Sequence, residues 1–263
     1  MSKSVHCPKI IDSHAHIDFP EFDDDRAELF KAMRAMGINT ALIPGVSPSH
    51  WENQLHIAAQ YSCPYALGIH PWFFSDNYSA ELSELDKAVN QRSQEPKFVA
   101  IGECGLDKLR GGDWEIQLKV LEHQLALAKS LNLPVILHVV KAHSELIALL
   151  KAVKLARGGV IHGFYGSLEV AQEYVKLGYK LGIGGLILNK DAKKLKACVT
   201  NISLNSLIIE TDSPAMGPKH LAEKRNTPLI LPSIIEEIAK LQKKSSVLVS
   251  ERMFENVTQL FDL

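Results

Sequence analysis

Short apolar runs alternate with amphipathic segments about eight times along this chain, and this alternation constrains the fold more than any other feature. The runs are continuously apolar, as in strands that are buried on both faces. Such strands separated by helices predict a parallel sheet with helical crossovers. About eight units in 263 residues fit a (β/α)8 TIM barrel of the α/β class. A doubly wound open sheet is the alternative, because strand order cannot be read from a sequence.

Particular residues mark the predicted elements. The strands are expected at Ile10–Asp18, Thr40–Pro44, Pro64–Ile69, Phe98–Ile101, Leu133–Val139, Gly159–His162, Tyr179–Ile183 and Leu207–Glu210. The helices are expected at Asp23–Met36, from Pro48 after an N-cap Ser47, and at Ala80–Gln91, Trp114–Leu131, Ser144–Ala156, Ser167–Leu177, Lys190–Cys198, Pro228–Gln242 and Val247–Phe261.

Composition places the chain among soluble globular proteins, with 46% hydrophobic and 22% charged residues. We expect residues 1–263 to form a single domain. A formal net charge of −1 argues against a protein that coats duplex DNA, but not against an enzyme that touches a few phosphates. The cysteines at 7, 63, 104 and 198 are scattered, which favours reduced thiols and a cytoplasmic location. We find neither a secretory signal in the first residues nor an apolar run long enough for a membrane span.

Polar residues able to bind a metal follow the predicted strands. His14 and His16 are two residues apart in an extended segment, so their side chains share a face. Further candidates stand at later strand ends: Glu103, His138, His162 and Asp212. Each alone has an ordinary structural explanation, such as a buried hydrogen-bonded histidine or an acid that caps a turn. Active sites of these barrels form where the carboxyl ends of several strands meet, and six such residues therefore predict a metal site.

The chemistry of these candidates limits the metal. Imidazole and carboxylate without thiolate suit Zn²⁺, Mn²⁺ or Mg²⁺. Cys104 is expected to point away from Glu103 and to serve packing. Six ligands exceed what one tetrahedral zinc ion needs, so we expect two divalent metal ions that share a carboxylate.

In this order the motifs resemble the TatD family of metal-dependent deoxyribonucleases, a branch of the amidohydrolase-like barrels, and within it the YjjV-type members. The resemblance covers nearly the whole chain. Its motifs are D-S-H-A-H-I-D at 12–18, G-I-H-P at 68–71, I-G-E-C-G-L-D at 101–107, the run 124–138 ending in L-H, H-G-F-Y-G-S at 162–167, G-Y-K-L-G-I-G-G at 178–185, E-T-D-S-P at 210–214 and R-N-T-P at 225–228.

The resemblance implies a set of roles for the site residues. One metal would be held by His14, His16 and Asp212, and the second by His138 and His162, with Glu103 bridging the two. Asp212 would also orient the attacking water and take its proton. Substrate phosphate would be contacted by His70, Arg225 and Asn226. The family often has an arginine where this chain has Val140, and this substitution weakens the expectation of strict nuclease activity.

The leading functional hypothesis is therefore a divalent-metal-dependent phosphodiesterase with 3′→5′ exonuclease action on single-stranded or frayed DNA. One alternative is a metal-dependent hydrolase of carboxyl esters or amides, including the aminoacyl-tRNA ester. A second is a metal-binding barrel without catalysis. Two further features have both a functional and a structural interpretation. The aromatic residues at 72–74 can stack a base or pack beneath a loop, and the lysine-rich Lys190–Lys196 segment can face nucleic acid or solvent.

Overall fold

A computed structural model describes residues 9–220 and 225–263, so Cys7 and the rest of the amino-terminal segment examined for a signal lie outside the described residues. Eight parallel strands alternate with helices in chain order. The strands are β1 (Ile10–Asp12), β2 (Ile38–Ala41), β3 (Tyr65–Leu67), β4 (Phe98–Asp107), β5 (Val135–Val140), β6 (Gly159–Ile161), β7 (Tyr179–Ile183) and β8 (Leu207–Ile209). The helices are α1 (Arg26–Ala35), α2 (Pro48–Tyr61), α3 (Tyr78–Arg92), α4 (Trp114–Leu131), α5 (His143–Val153), α6 (Leu168–Lys176), α7 (Lys193–Asn201), α8 (Leu231–Gln242) and α9 (Ser246–Phe261).

Backbone hydrogen bonds join the strands into a closed (β/α)8 barrel, which confirms the predicted fold over the open sheet. Strands β3 to β8 pair in sequence order, and β1 pairs with β2. Between β2 and β3, the amide of Ile43 donates to the Pro64 carbonyl at 3.0 Å. Between β8 and β1, the amide of Ser13 donates to the Ile209 carbonyl at 3.1 Å. That the whole chain forms one domain stays a prediction.

Helix α9 closes one end of the barrel. Its Val257, Leu260 and Phe261 join a buried apolar cluster with residues near the beginnings of the strands, among them Ile11 and Ile136. These apolar side chains cover the amino ends of the strands, and their removal from water stabilises the fold. A polar site can therefore form only at the opposite, carboxyl end of the barrel.

The predicted elements differ from the observed ones mainly at their ends. The strand predicted at Phe98–Ile101 continues to Asp107, because β4 stays paired with β5 as far as Asp107 opposite Val140. Ser47 does precede α2, but its hydroxyl contacts Ser49 and His50 instead of capping the helix.

The lysine-rich segment begins before α7, which starts at Lys193. Lys190 and Lys193 are exposed, whereas Lys196 forms an ion pair with Glu237 at 2.6 Å. Within residues 9–220 and 225–263, no helix has the length and apolar character to cross a bilayer.

Candidate metal centre

The structure brings the six predicted ligands together at the carboxyl end of the barrel. His14 and His16 follow β1, which ends at Asp12, and His162 and Asp212 follow β6 and β8. His138 lies within β5, and Glu103 lies inside the long β4 instead of after its end. All six side chains are at most 13% exposed.

Glu103 stands at the centre of the site, with each carboxylate oxygen facing a different set of histidines. Its Oε2 lies 3.2 Å from Nε2 of His14 and 3.5 Å from Nε2 of His16. Its Oε1 lies 3.2 Å from Nδ1 of His138 and 3.1 Å from Nε2 of His162. The carboxylate therefore separates two groups of nitrogen donors and contacts both.

The first group contains His14, His16 and Asp212. The two Nε2 atoms are 3.3 Å apart, and Oδ1 of Asp212 lies 3.4 Å from His14 Nε2 and 3.6 Å from His16 Nε2. Asp212 is fixed by its own amide, which donates to the His14 carbonyl at 2.9 Å. The buried Asp12 accepts hydrogen bonds from the amides of His14 and Thr211, which holds the ends of β1 and β8 in register.

The second group contains His138, whose ring is oriented by a carboxylate that the sequence analysis did not assign. Nε2 of His138 lies 3.1 Å from Oδ2 of Asp107, so Nδ1 is the atom that faces Glu103. The same Oδ2 accepts a hydrogen bond from Nε1 of Trp72 at 2.7 Å. Asp107 is 1% exposed. A carboxylate on the far nitrogen fixes the tautomer of a metal-binding histidine and makes it a better ligand.

His162 has a similar support in Glu210, which was also not assigned. Oε1 of Glu210 lies 3.5 Å from His162 Nδ1 and accepts a hydrogen bond from the amide of Gly163. Glu210 is fully buried beside Gly182, where an added Cβ would lie 2.2 Å from Oε2. Both acids belong to quoted motifs, G-L-D and E-T-D-S-P, and these motifs were the signal that could have identified them.

His70 was predicted to contact substrate, and the structure places it beside the second group. Its Nε2 lies 3.2 Å from Oε1 of Glu103, and its Nδ1 accepts the amide hydrogen of Trp72 at 3.1 Å. Burial lowers the pKa of His70 to about 4 despite the nearby Glu103, so the ring is neutral. A neutral ring that accepts at Nδ1 carries its proton on Nε2. His70 therefore presents a hydrogen-bond donor to the site, although its position would also allow metal ligation.

The other two residues predicted to contact substrate make defined contacts within the protein. The Arg225 guanidinium forms a two-pronged ion pair with Asp25, at 2.7 and 2.5 Å, and also donates to the Glu21 carbonyl. Asn226 is fully buried and donates to the carbonyls of Thr211 and Ala215, which supports the loop that carries Asp212. Substrate contact by His70, Arg225 and Asn226 stays a prediction. Val140 pairs with Asp107 at the end of β5.

Charges within the site shift the pKa values in opposite directions. Burial raises the pKa of Glu103, but the surrounding His162 and His14 outweigh it and hold the pKa well below its usual value. The pKa of Asp212 is lowered in the same way, by His14 and His162 against burial. Burial lowers the pKa of His14, yet Glu103 and Asp212 overcome this and raise it to about 9. The carboxylates are thus ionised and available to a cation.

The donor set fits divalent cations. Three groups of donor atoms lie within 4.8 Å of one another: His14, Glu103 and His162; His14, His16 and Asp212; and His70, Glu103 and His138. Nitrogen and oxygen donors around a tetrahedral zinc ion at about 2.0–2.1 Å lie roughly 3.3 Å apart, and the separations around His14 are close to this value. No lysine or arginine of the described ranges forms an ion pair with these side chains. A divalent cation could therefore bind the clustered carboxylates without displacing a lysine or arginine.

A (β/α)8 barrel with this centre at its carboxyl end belongs to the metal-dependent hydrolases. Residues 11–262 match the family model described as TatD related DNase, and the chain belongs to this family. The predicted resemblance is thereby confirmed.

Several relatives match over almost their full length. The Escherichia coli uncharacterized metal-dependent hydrolase YjjV is 36% identical, over 97% of this chain and 98% of the relative. The 3′-5′ ssDNA/RNA exonuclease TatD of Klebsiella pneumoniae is 32% identical, over 97% of this chain and 98% of the relative. The crystal structure of the Escherichia coli TatD homolog YjjV superposes with a TM-score of 0.90 at 34% identity, covering 98% of this chain and 99% of that one.

Proposed function

We propose that this hydrolase is a phosphodiesterase that removes nucleotides from the 3′ end of single-stranded or frayed DNA, with two divalent cations, Zn²⁺, Mn²⁺ or Mg²⁺, in its site. The observation that carries the proposal is the position of Glu103 between two groups of donors. Enzymes that cleave phosphate esters commonly use two cations a few ångströms apart. The printed names of the TatD relatives, which are exonucleases of single-stranded DNA and RNA, point to the same substrate class.

We assign one cation to each of the two groups of donors. His14, His16 and Asp212 would hold one cation and His138 and His162 the other, with Glu103 contributing one oxygen to each. When bound, such ions bring the pKa of a water molecule to near neutrality and offset charge on phosphate oxygens.

Two residues would act on the reacting atoms directly. Asp212 has the most exposed carboxylate of the site, so it would orient a water molecule and accept its proton. His70 presents an N–H at Nε2, which can donate to an oxygen that gains charge during the reaction.

The test is hydrolysis of short single-stranded oligonucleotides by purified protein supplied with each metal in turn. We expect a 5′-labelled strand to give a ladder of products that shortens one nucleotide at a time, and a chelator to stop the reaction. The same strand in a blunt duplex serves as the control and should react more slowly. Hydrolysis of carboxyl esters or amides without a ladder would contradict the proposal, and so would the absence of any hydrolysis.

Replacing Asp107 with asparagine should weaken metal binding, because His138 would lose the charged partner that orients its ring. Loss of such a partner typically costs about 10–100-fold in metal affinity. The measurement is a competition titration with a coloured chelator. Asp113→Asn is the matched control, since Asp113 caps α4 on the same loop and asparagine caps equally well. Equal affinities of the two variants would contradict the role of Asp107.

A further inference from the structure

An exposed guanidinium lies against an exposed indole at the edge of the metal centre. The Cζ atom of Arg110 is 4.0 Å from the centroid of the Trp72 ring, and Trp72 is 38% exposed. Arg110 is also exposed, and within the described ranges it forms no ion pair. A cation over an indole face is held by the charge distribution of the ring. The contact with Trp72 therefore positions Arg110, and the charge of the arginine is not used in a salt bridge.

One carboxylate fixes this pair relative to the site. Oδ1 of Asp107 accepts the amide hydrogens of Leu109 and Arg110, at 2.7 and 2.9 Å, which anchors the β4–α4 loop, residues 108–113. Its Oδ2 accepts from Nε1 of Trp72 and lies 3.1 Å from Nε2 of His138. The Trp72 and His138 rings are 5.5 Å apart. A single indole thus separates the guanidinium from a histidine of the metal centre.

The arrangement leaves the arginine free to bind an anion. Because Arg110 lies over the indole and forms no ion pair within the described ranges, its N–H groups are available for a two-pronged contact with a phosphate. Phe73, next in the chain, is 38% exposed and lies 5.7 Å from the His70 ring, whereas Phe74 packs against the core and the loop. A cation beside an aromatic face suits a single nucleic-acid strand, because the cation can contact a phosphate and the aromatic face can stack a base. Because the net charge of the protein is only −1, local cations must supply the attraction.

We propose that Arg110, which lies over the Trp72 ring, is a specificity-determining residue that binds a phosphate of the substrate strand next to the one being hydrolysed. This contact favours an oligonucleotide over a small phosphodiester, which has no second phosphate. The inference rests on the proposed nuclease function, and it assigns recognition of the DNA strand to the β4–α4 loop.

The first experiment compares Arg110→Gln with the unchanged protein on two substrates, a single-stranded oligonucleotide and bis(4-nitrophenyl) phosphate. The ratio of kcat/KM for the oligonucleotide to that for the small diester should fall about tenfold, as expected for loss of one charged hydrogen-bonded contact. An unchanged ratio would overturn the proposal, because Arg110 would then affect both substrates equally or neither of them.

The second experiment measures binding, so that it does not depend on turnover. Fluorescence anisotropy of a 5′-labelled oligonucleotide is recorded with the Asp212→Asn protein, in which cleavage is blocked. Adding Arg110→Gln should raise the dissociation constant about tenfold and lower the slope of log K against log salt by about 0.7, the value for one phosphate contact in a single strand. Arg110→Lys, which retains the charge, should recover the slope. Weaker binding with an unchanged slope would overturn the proposal.

Arg34→Gln provides the matched control, because Arg34 is exposed in the last turn of α1 and forms no ion pair within the described part of the chain. Equal dissociation constants for the Arg34 and Arg110 variants would also overturn the proposal. Failure of the unchanged protein to shorten any oligonucleotide would instead contradict the nuclease function. The anisotropy measurement would in that case still decide whether Arg110 binds a phosphate chain.

Discussion

Glutamine in place of Glu103 is expected to empty both cation positions and to reduce kcat/KM about a thousandfold or more, since each cation contributes several kcal/mol of stabilisation to the transition state. The reason is the position of the carboxylate, whose two oxygens face different histidines at 3.1–3.5 Å. An amide keeps one oxygen but replaces the other by an N–H donor and removes the negative charge. One oxygen ligand and the negative charge between the two groups of donors are thus lost through one substitution.

The measurement for this variant is metal content by mass spectrometry, followed by kinetics on the oligonucleotide. Glu122→Gln on the exposed face of α4 makes the same chemical change away from the site and should leave both quantities unaltered. Circular dichroism shows whether each protein is folded. A Glu103→Gln protein that retains the full metal content would refute the bridging role.

Alanine in place of Gly105 is expected to destabilise the protein by about 4 kcal/mol or more, or to prevent folding. Gly105 lies in β4 opposite His138 and has a φ of +153°, a conformation that side chains other than glycine rarely adopt. An added Cβ would lie 1.9 Å from the carbonyl oxygen of His138. Backbone atoms of two paired strands cannot move apart without breaking the ladder, so the overlap must disrupt β4 and β5 together.

Gly178→Ala is the control for backbone strain alone. Gly178 has a φ of +87°, but an added Cβ would meet no atom within 4 Å. The cost there should be about 1 kcal/mol. Urea unfolding gives both free energies, and the soluble yield compares the variants if Gly105→Ala does not fold. Similar losses at the two positions would show that crowding against His138 is unimportant.

The pattern of residues along the chain was sufficient to predict the barrel, because continuous apolar runs and amphipathic segments carry their periodicity in the sequence itself. The gathering of His14, Glu103 and His162 followed from the same pattern, because all parallel strands end at one rim. The structure brings these side chains together, whereas metal binding by them stays a prediction.

Features that depend on strand register were not predictable. Asp107 reaches His138 because β4 stays paired with β5 beyond Glu103, and the glycines and polar residues of 102–107 concealed this extension. Glu210, after β8, meets His162, after β6, beside the small Gly182 of the intervening β7. The sequence supplies the residue types, but only the paired strands determine which acid lies on which imidazole.

Asp107 has a consequence for how this barrel can diversify. Its two oxygens connect the loop that carries Arg110 with the ring of His138. Recognition of the DNA strand and the basicity of the His138 imidazole therefore depend on the same aspartate. A loop transplanted from a relative to alter the range of substrates would disturb the imidazole unless its own backbone amides also donated to Asp107. Selection on this loop therefore acts on two properties at once, and the outer residues, such as Leu109, are the ones left to vary independently.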